Sequence, residues 1–142
     1  GGIRELDQIE KIDGSHVLPE LRECVFQIAC DVNNPLYGEN GAVYIYGSQK
    51  GVKEEEKQIL DEKMKHYAEK TREYFKQDHS QEEGAGAAGG LGFAFISYLP
   101  DVTLRSGIEM IGKYIVEFEQ GGNVKAIYGK LLFIISELSD SV

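Results

Sequence analysis

Three short stretches of this chain carry residues suited to handling anions. In "ACDVNNPLYGENG" (29–41), Asp31, Asn33 and Asn34 follow the end of an apolar run. In "YGSQKG" (46–51), Lys50 sits beside a glycine. In "GAGAAGGLG" (84–92), glycines and alanines replace an otherwise charged sequence. An aspartate at a strand end can hold a metal ion or accept a hydroxyl proton. Neighbouring amides can orient polar substrate groups. A lysine offsets phosphate charge as a point charge. Consecutive backbone N–H groups leading into a helix bind anions, because they lack intrahelical partners and the helix dipole favours negative charge there. The plainer alternatives are an Asx-rich turn with a surface lysine, and glycines that let one backbone pass close to another.

Gly84, Gly86 and Gly89 also satisfy the G-x-G-x-x-G spacing of dinucleotide sites. That fingerprint needs a buried strand before it. Here "KQDHSQEE" precedes it, which is polar and follows a long helical pattern. No Gly-Lys-Ser/Thr follows, so it is not a Walker loop either.

The elements that must position these groups read as α/β. Ile3, Leu6, Ile9 and Ile12 recur three apart, as on a short helix or packed segment. "ECVFQIACDV" is a nearly continuous apolar run, expected as a strand covered on both faces. "AVYIYG" is strand-like by propensity but placed where a short helix fits. Residues 53–77 form a long amphipathic helix, with Leu60, Met64, Tyr67, Ala68, Thr71, Tyr74 and Phe75 on one face and "KEEEK" on the solvated one. "LGFAFISYL" is a buried helix or strand beginning near Ala87. Residues 101–118 read as an amphipathic helix, and "KLLFIIS" as a second buried strand. Alternation of strands and helices predicts one compact α/β domain over 1–142, with a mixed sheet flanked by helices.

Bulk properties restrict the partners. With 142 residues and 42% hydrophobic content the chain can bury a core. Its formal net charge of -9 argues against nucleic acid, since no basic surface is available to offset backbone phosphates. Its longest apolar run falls short of the roughly 20 residues of a membrane span, and no secretory signal is visible. Cys24 and Cys30 would lie about 20 Å apart on one strand, too far to bridge. They are expected as small buried hydrophobes in a reducing, cytoplasmic setting.

Taken in order, "ACDVNNPLYGENGA", "YGSQKG", a long helix, "GAGAAGGLG" and "SGIEMI" resemble the glycerate kinases of the bacterial glycerate 2-kinase type. The resemblance covers about residues 1–112. Ser48 stands where the family usually has proline, and Asn33-Asn34 where Asp-Asn is commoner. Family members are more than twice as long and have two α/β domains, one inserted into the other. This chain corresponds to the later part of the inserted domain, and no role is carried onto Glu137. The resemblance implies phosphoryl transfer from ATP, with Mg²⁺, to a hydroxyl of D-glycerate, a reaction carried mostly by positioning and charge stabilisation. On that reading Asp31 and Lys50 are the catalytic candidates, and Asp31 is also the candidate Mg²⁺ ligand. Asn33, Asn34 and Gln49 would bind substrate. Gly86, Ala87, Ala88, Gly89 and Gly90 would face a phosphate or other anion. The competing expectations are a catalytically inactive domain, folding alone or as a homodimer, and a small anion-binding module.

Overall fold

The structure, a computed structural model, describes residues 2–107 and 110. The expected helix beyond Met110, the strand at 130–136 and Glu137 lie outside the described residues. Two strands, β1 (Phe26–Ala29) and β2 (Val102–Arg105), pair in parallel, with Phe26 opposite Val102 and Ala29 opposite Arg105. Among the described residues α-helices accompany them at α1 (Ala42–Tyr46), α2 (Glu54–Phe75) and α3 (Leu91–Tyr98). Short 3-10 turns occupy Ile3–Gln8, Pro19–Glu23 and Ala87–Gly89. The α/β class is as the sequence implies. The sheet among the described residues is a parallel pair, not a mixed sheet.

The long helix falls where its apolar spacing requires. Leu60, Met64, Ala68 and Thr71 are buried along one face of α2. They pack with Leu36, Ala42, Val43, Ala85 and Phe93 into one core. Glu54, Glu55 and Glu56 fill the first turn, where the helix dipole favours negative charge. The Glu56 carboxylate also accepts from the Lys53 N–H at 3.1 Å, closing the N-terminus. Two expectations for this helix fail. Tyr74 is exposed and leaves the core, its hydroxyl accepting instead from the Gly14 N–H at 3.2 Å. Lys57, in the run expected to be solvated, is buried and pairs with Glu54 at 2.7 Å; its long stem covers apolar surface while its head reaches the rim.

Other differences have local causes. "AVYIY" is helical, because its first amide, Ala42 N–H, donates to the Leu36 carbonyl at 3.2 Å and Gly47 N–H closes back on Val43 at 2.9 Å. Residues 102–105, expected as the start of a helix, are instead β2. β-branched Val102 and Thr103 suit a strand, and pairing with β1 outweighs the helical spacing that begins at Ile108. β1 is not covered on both faces: Gln27 is exposed, and so is Val25 just before it. The cysteines are not core residues. Cys24 is exposed and Cys30 half-buried, because Cys24 lies before the strand and Cys30 after it.

The Ile3–Gln8 turn lies along α2, with Ile3 and Leu6 against the core. Charge fastens its outer side. Arg4 pairs with Glu56 at 2.6 Å, and Lys63 with Asp7 at 2.8 Å. The hydrogen bond from Lys63 holds the Asp7 carboxyl below the ordinary range, and Arg4 does the same for Glu56. A carboxyl whose folded pKa is depressed stabilises the fold above its unfolded pKa and loses that contribution as pH falls through the folded one. Acidification below about pH 4 should therefore loosen residues 3–9 before the core opens. Amide exchange read segment by segment against pH tests this. Equal loss of protection in residues 3–9 and in α2 would contradict it.

Candidate functional site

β1 ends at Ala29, and the chain turns out of the sheet through Cys30 and Asp31. The Cys30 N–H still pairs with the Arg105 carbonyl at 2.7 Å, so the turn starts from a fixed point. Asp31 is exposed, and its Oδ1 accepts from the Gly107 N–H at 2.8 Å. Gly107 opens a helical turn in which the Met110 N–H donates to Ser106 at 3.1 Å. The carboxylate is thereby oriented against a helix start rather than left to rotate.

Asn34 ties the same loop to three other places. Its Oδ1 accepts from the Tyr46 hydroxyl at 2.5 Å, and its Nδ2 donates to the Asn40 carbonyl at 3.0 Å. Its own carbonyl accepts from the Gly86 N–H at 2.8 Å. Its amide is thus engaged in building the loop. Asn33 is exposed, as are Gln49 and Lys50. The loop is further clamped by Asp61 of α2, whose two oxygens each lie 3.0 Å from the Gly38 N–H. Burial pushes the Asp61 carboxyl up, against the pull of that hydrogen bond.

The glycine run faces this loop. A Cβ on Gly86 would overlap the Pro35 carbonyl oxygen and lie 3.0 Å from that of Asn34, so only glycine permits the approach. Beyond it the Ala87–Gly89 turn leads into α3 through Gly90. Ala88, Gly89 and Gly90 all have positive φ, of 49°, 71° and 104°. Two are glycines and bear this freely; Ala88 bears it at a cost of about 1 kcal/mol or more. The helix expected from near Ala87 is therefore a 3-10 turn first, with α3 beginning at Leu91. Phe93 N–H reaches back to the Ala85 carbonyl at 2.9 Å and holds the run onto α3.

Lys50 comes to the same place from α1. Its N–H donates to the Gly47 and Tyr46 carbonyls at 3.0 and 3.3 Å, which sets the turn after that helix. Its Nζ lies 3.8 Å from where a Cβ on Gly89 would stand. Its ammonium makes no ion pair among the described residues. The 31–34 loop thus meets the glycine run at Gly86 through Asn34, the Lys50 ammonium approaches Gly89, and the Asp31 carboxylate is held at Gly107. Tyr46, Asp61 and Gly107 were not identified from sequence. For Tyr46 the available signal was its position four residues before Lys50.

Gly86→Ala tests the close approach. It must displace the Pro35 carbonyl and lengthen the Gly86–Asn34 bond. A destabilisation of at least about 1 kcal/mol is expected, together with faster exchange of the residue 86 amide. Unchanged stability and exchange would show that the loops are not locked together.

A parallel strand pair with a long helix, and a 31–34 loop set against a glycine-rich turn, define an α/β protein. The family model described as the Glycerate kinase family matches residues 1–126, somewhat beyond the stretch in which the motifs are legible, and the chain belongs to that family. It is 44% identical over 106 residues to a Glycerate 2-kinase of Escherichia coli K12, and 45% over 109 residues to a Glycerate kinase of Bacillus cereus. Those matches cover 75% and 77% of this chain but 28% of each relative. A crystal structure assigned to a glycerate kinase 2 from Salmonella typhimurium LT2 superposes with a TM-score of 0.74 at 36% identity, over 79% of this chain and 30% of that one. The chain thus spans under a third of the length of these relatives. No helix among the described residues is long and apolar enough to cross a membrane.

Proposed function

We propose that residues 1–142 form one α/β domain, part of the inserted domain of a glycerate kinase, and present the anion-facing loops to ATP and D-glycerate. The reaction is transfer of the γ-phosphoryl group of ATP to a hydroxyl of D-glycerate, in the cytoplasm. The observation that carries this reading is the Lys50 ammonium beside Gly89, which makes no ion pair among the described residues. A cation set against exposed left-handed backbone is suited to a phosphate or carboxylate. Asp31, oriented by the Gly107 N–H, positions the hydroxyl or a metal ion. Asn33 and Gln49 face the substrate, and Asn34 holds the loop beneath them. The expected cradle of N–H groups over residues 86–90 is largely spent internally, since those of Gly86, Ala87 and Gly90 donate to the Asn34, Gly84 and Ala87 carbonyls, so the anion's charge falls chiefly to Lys50.

Mg²⁺ in such reactions is carried by the nucleotide phosphates with one or two carboxylates. Asp31 fits as a single carboxylate of that kind. Among the described residues no three His, Cys, Asp or Glu side chains cluster to hold a metal by themselves. When bound, the ion would offset charge on the transferring phosphoryl group.

A coupled assay with D-glycerate, ATP and Mg²⁺ tests the reading. The full polypeptide that carries these residues should turn over. Residues 1–142 alone should not, since they span so little of the active relatives. Absence of glycerate-dependent ADP release from the full polypeptide would refute the kinase reading and leave an anion-binding module.

A further inference from the structure

We infer that Tyr46 is a positioning residue: it locks the Lys50 turn to the Asp31–Asn34 loop, so that the cation and the glycine run act as one rigid site. The inference rests on the function proposed above. Tyr46 is the last residue of α1, and it works from both ends. Its carbonyl accepts from the Lys50 N–H at 3.3 Å, and its hydroxyl donates to Asn34 Oδ1 at 2.5 Å. Asn34 in turn holds the Asn40 carbonyl through Nδ2, and its own carbonyl takes the Gly86 N–H. A continuous path of hydrogen bonds therefore runs from the backbone of Lys50, through Tyr46 and Asn34, to the glycine run.

The chemistry explains why a tyrosine suits the position. Asn34 Oδ1 needs a donor reaching across from α1, and a phenol supplies one at the end of a stiff ring with two torsions. Burial pushes the Tyr46 hydroxyl up from its ordinary value, so it remains a donor across the physiological range. Without it the Asn34 amide loses its anchor on α1. The carbonyl that meets Gly86 is then free to shift relative to Lys50. Misplacement of a charged group by a fraction of an ångström is enough to lower a rate that depends on positioning. Tyr46 touches neither phosphate nor glycerate in this scheme; it acts through Asn34 and Lys50.

The test is a kinetic cycle in the full polypeptide that carries these residues, using Tyr46→Phe, Lys50→Met and the double variant. Tyr46→Phe keeps the ring and its packing and removes only the hydroxyl. It should lower kcat/KM with glycerate about 5–30-fold, the size of losing one well-placed hydrogen bond. In the Lys50→Met background the same change should cost less than about twofold, because what Tyr46 positions is gone. A merely structural tyrosine would give losses that multiply in the double variant. The inference is overturned by such multiplication. It is also overturned by a Tyr46→Phe enzyme within about twofold of the parent while Lys50→Met is impaired. If Lys50→Met itself leaves kcat/KM unchanged, the proposed function loses its central residue, and the role of Tyr46 falls with it.

Discussion

Phe93→Ala should destabilise the protein by about 3–5 kcal/mol, the largest loss expected from any single substitution considered. Phe93 is 1% exposed and sits where α3 meets α2. Its ring meets Tyr67 edge to face, with centroids 5.4 Å apart and planes at 81°, a geometry that adds to plain burial. Around it lie Leu36, Leu60, Met64 and Ala85, drawn from the loop, the long helix and the glycine run. Removing the ring leaves a cavity that these neighbours, anchored on different elements, cannot all collapse into. Against a total stability of roughly 5–15 kcal/mol such a loss is severe. Urea denaturation of the variant measures it. Phe93→Leu, which keeps most of the volume, should cost less than about 1.5 kcal/mol. A Phe93→Ala loss below about 1 kcal/mol would mean that α3 is not packed on α2 as described.

The same residue shows what the sequence could and could not convey. The apolar spacing of α2 is a local, periodic signal, and it located Glu54–Phe75 within two residues of the expected 53–77. The glycine run was legible as a close-approach segment, because few other residues allow it. What it approached was not legible. Gly86 meets Asn34 and Pro35, 52 and 51 positions earlier in the chain, and no local pattern encodes such a pairing. Residues 102–105 were misread for a related reason. Four residues carry too little periodicity to oppose the helical spacing that follows, and only the partner strand decides them. Tyr74 obeyed the helical period but lies beyond the point where α2 leaves the core, so its face is right and its burial is not. Asp31 and Lys50 were singled out by type and by family resemblance. Their supports, Gly107 and Tyr46, carry no chemistry of their own and gave no signal until the fold brought them alongside.

The effect of Lys50→Met on catalysis is the second large expectation. The Lys50 side chain is exposed, packs no core and makes no ion pair among the described residues, so its removal should leave folding intact. Its Nζ lies 3.8 Å from where a Cβ on Gly89 would stand, and under the proposed function an incoming phosphate or carboxylate meets the ammonium there. A charge-assisted contact of this kind contributes roughly 1.5–3 kcal/mol. Methionine keeps the length and apolar stem of the side chain and removes only the charge. Lys50→Arg restores the charge with a different shape, and should recover part of the loss.

The most direct measurement is therefore kcat/KM for D-glycerate and for ATP in the full polypeptide that carries these residues, comparing the parent with Lys50→Met at matched thermal stability. The expected result is a fall of about 10–150-fold for at least one substrate, with partial recovery in Lys50→Arg. Equal kinetics in the parent and in Lys50→Met would contradict the shared anion site and make Lys50 an ordinary surface residue.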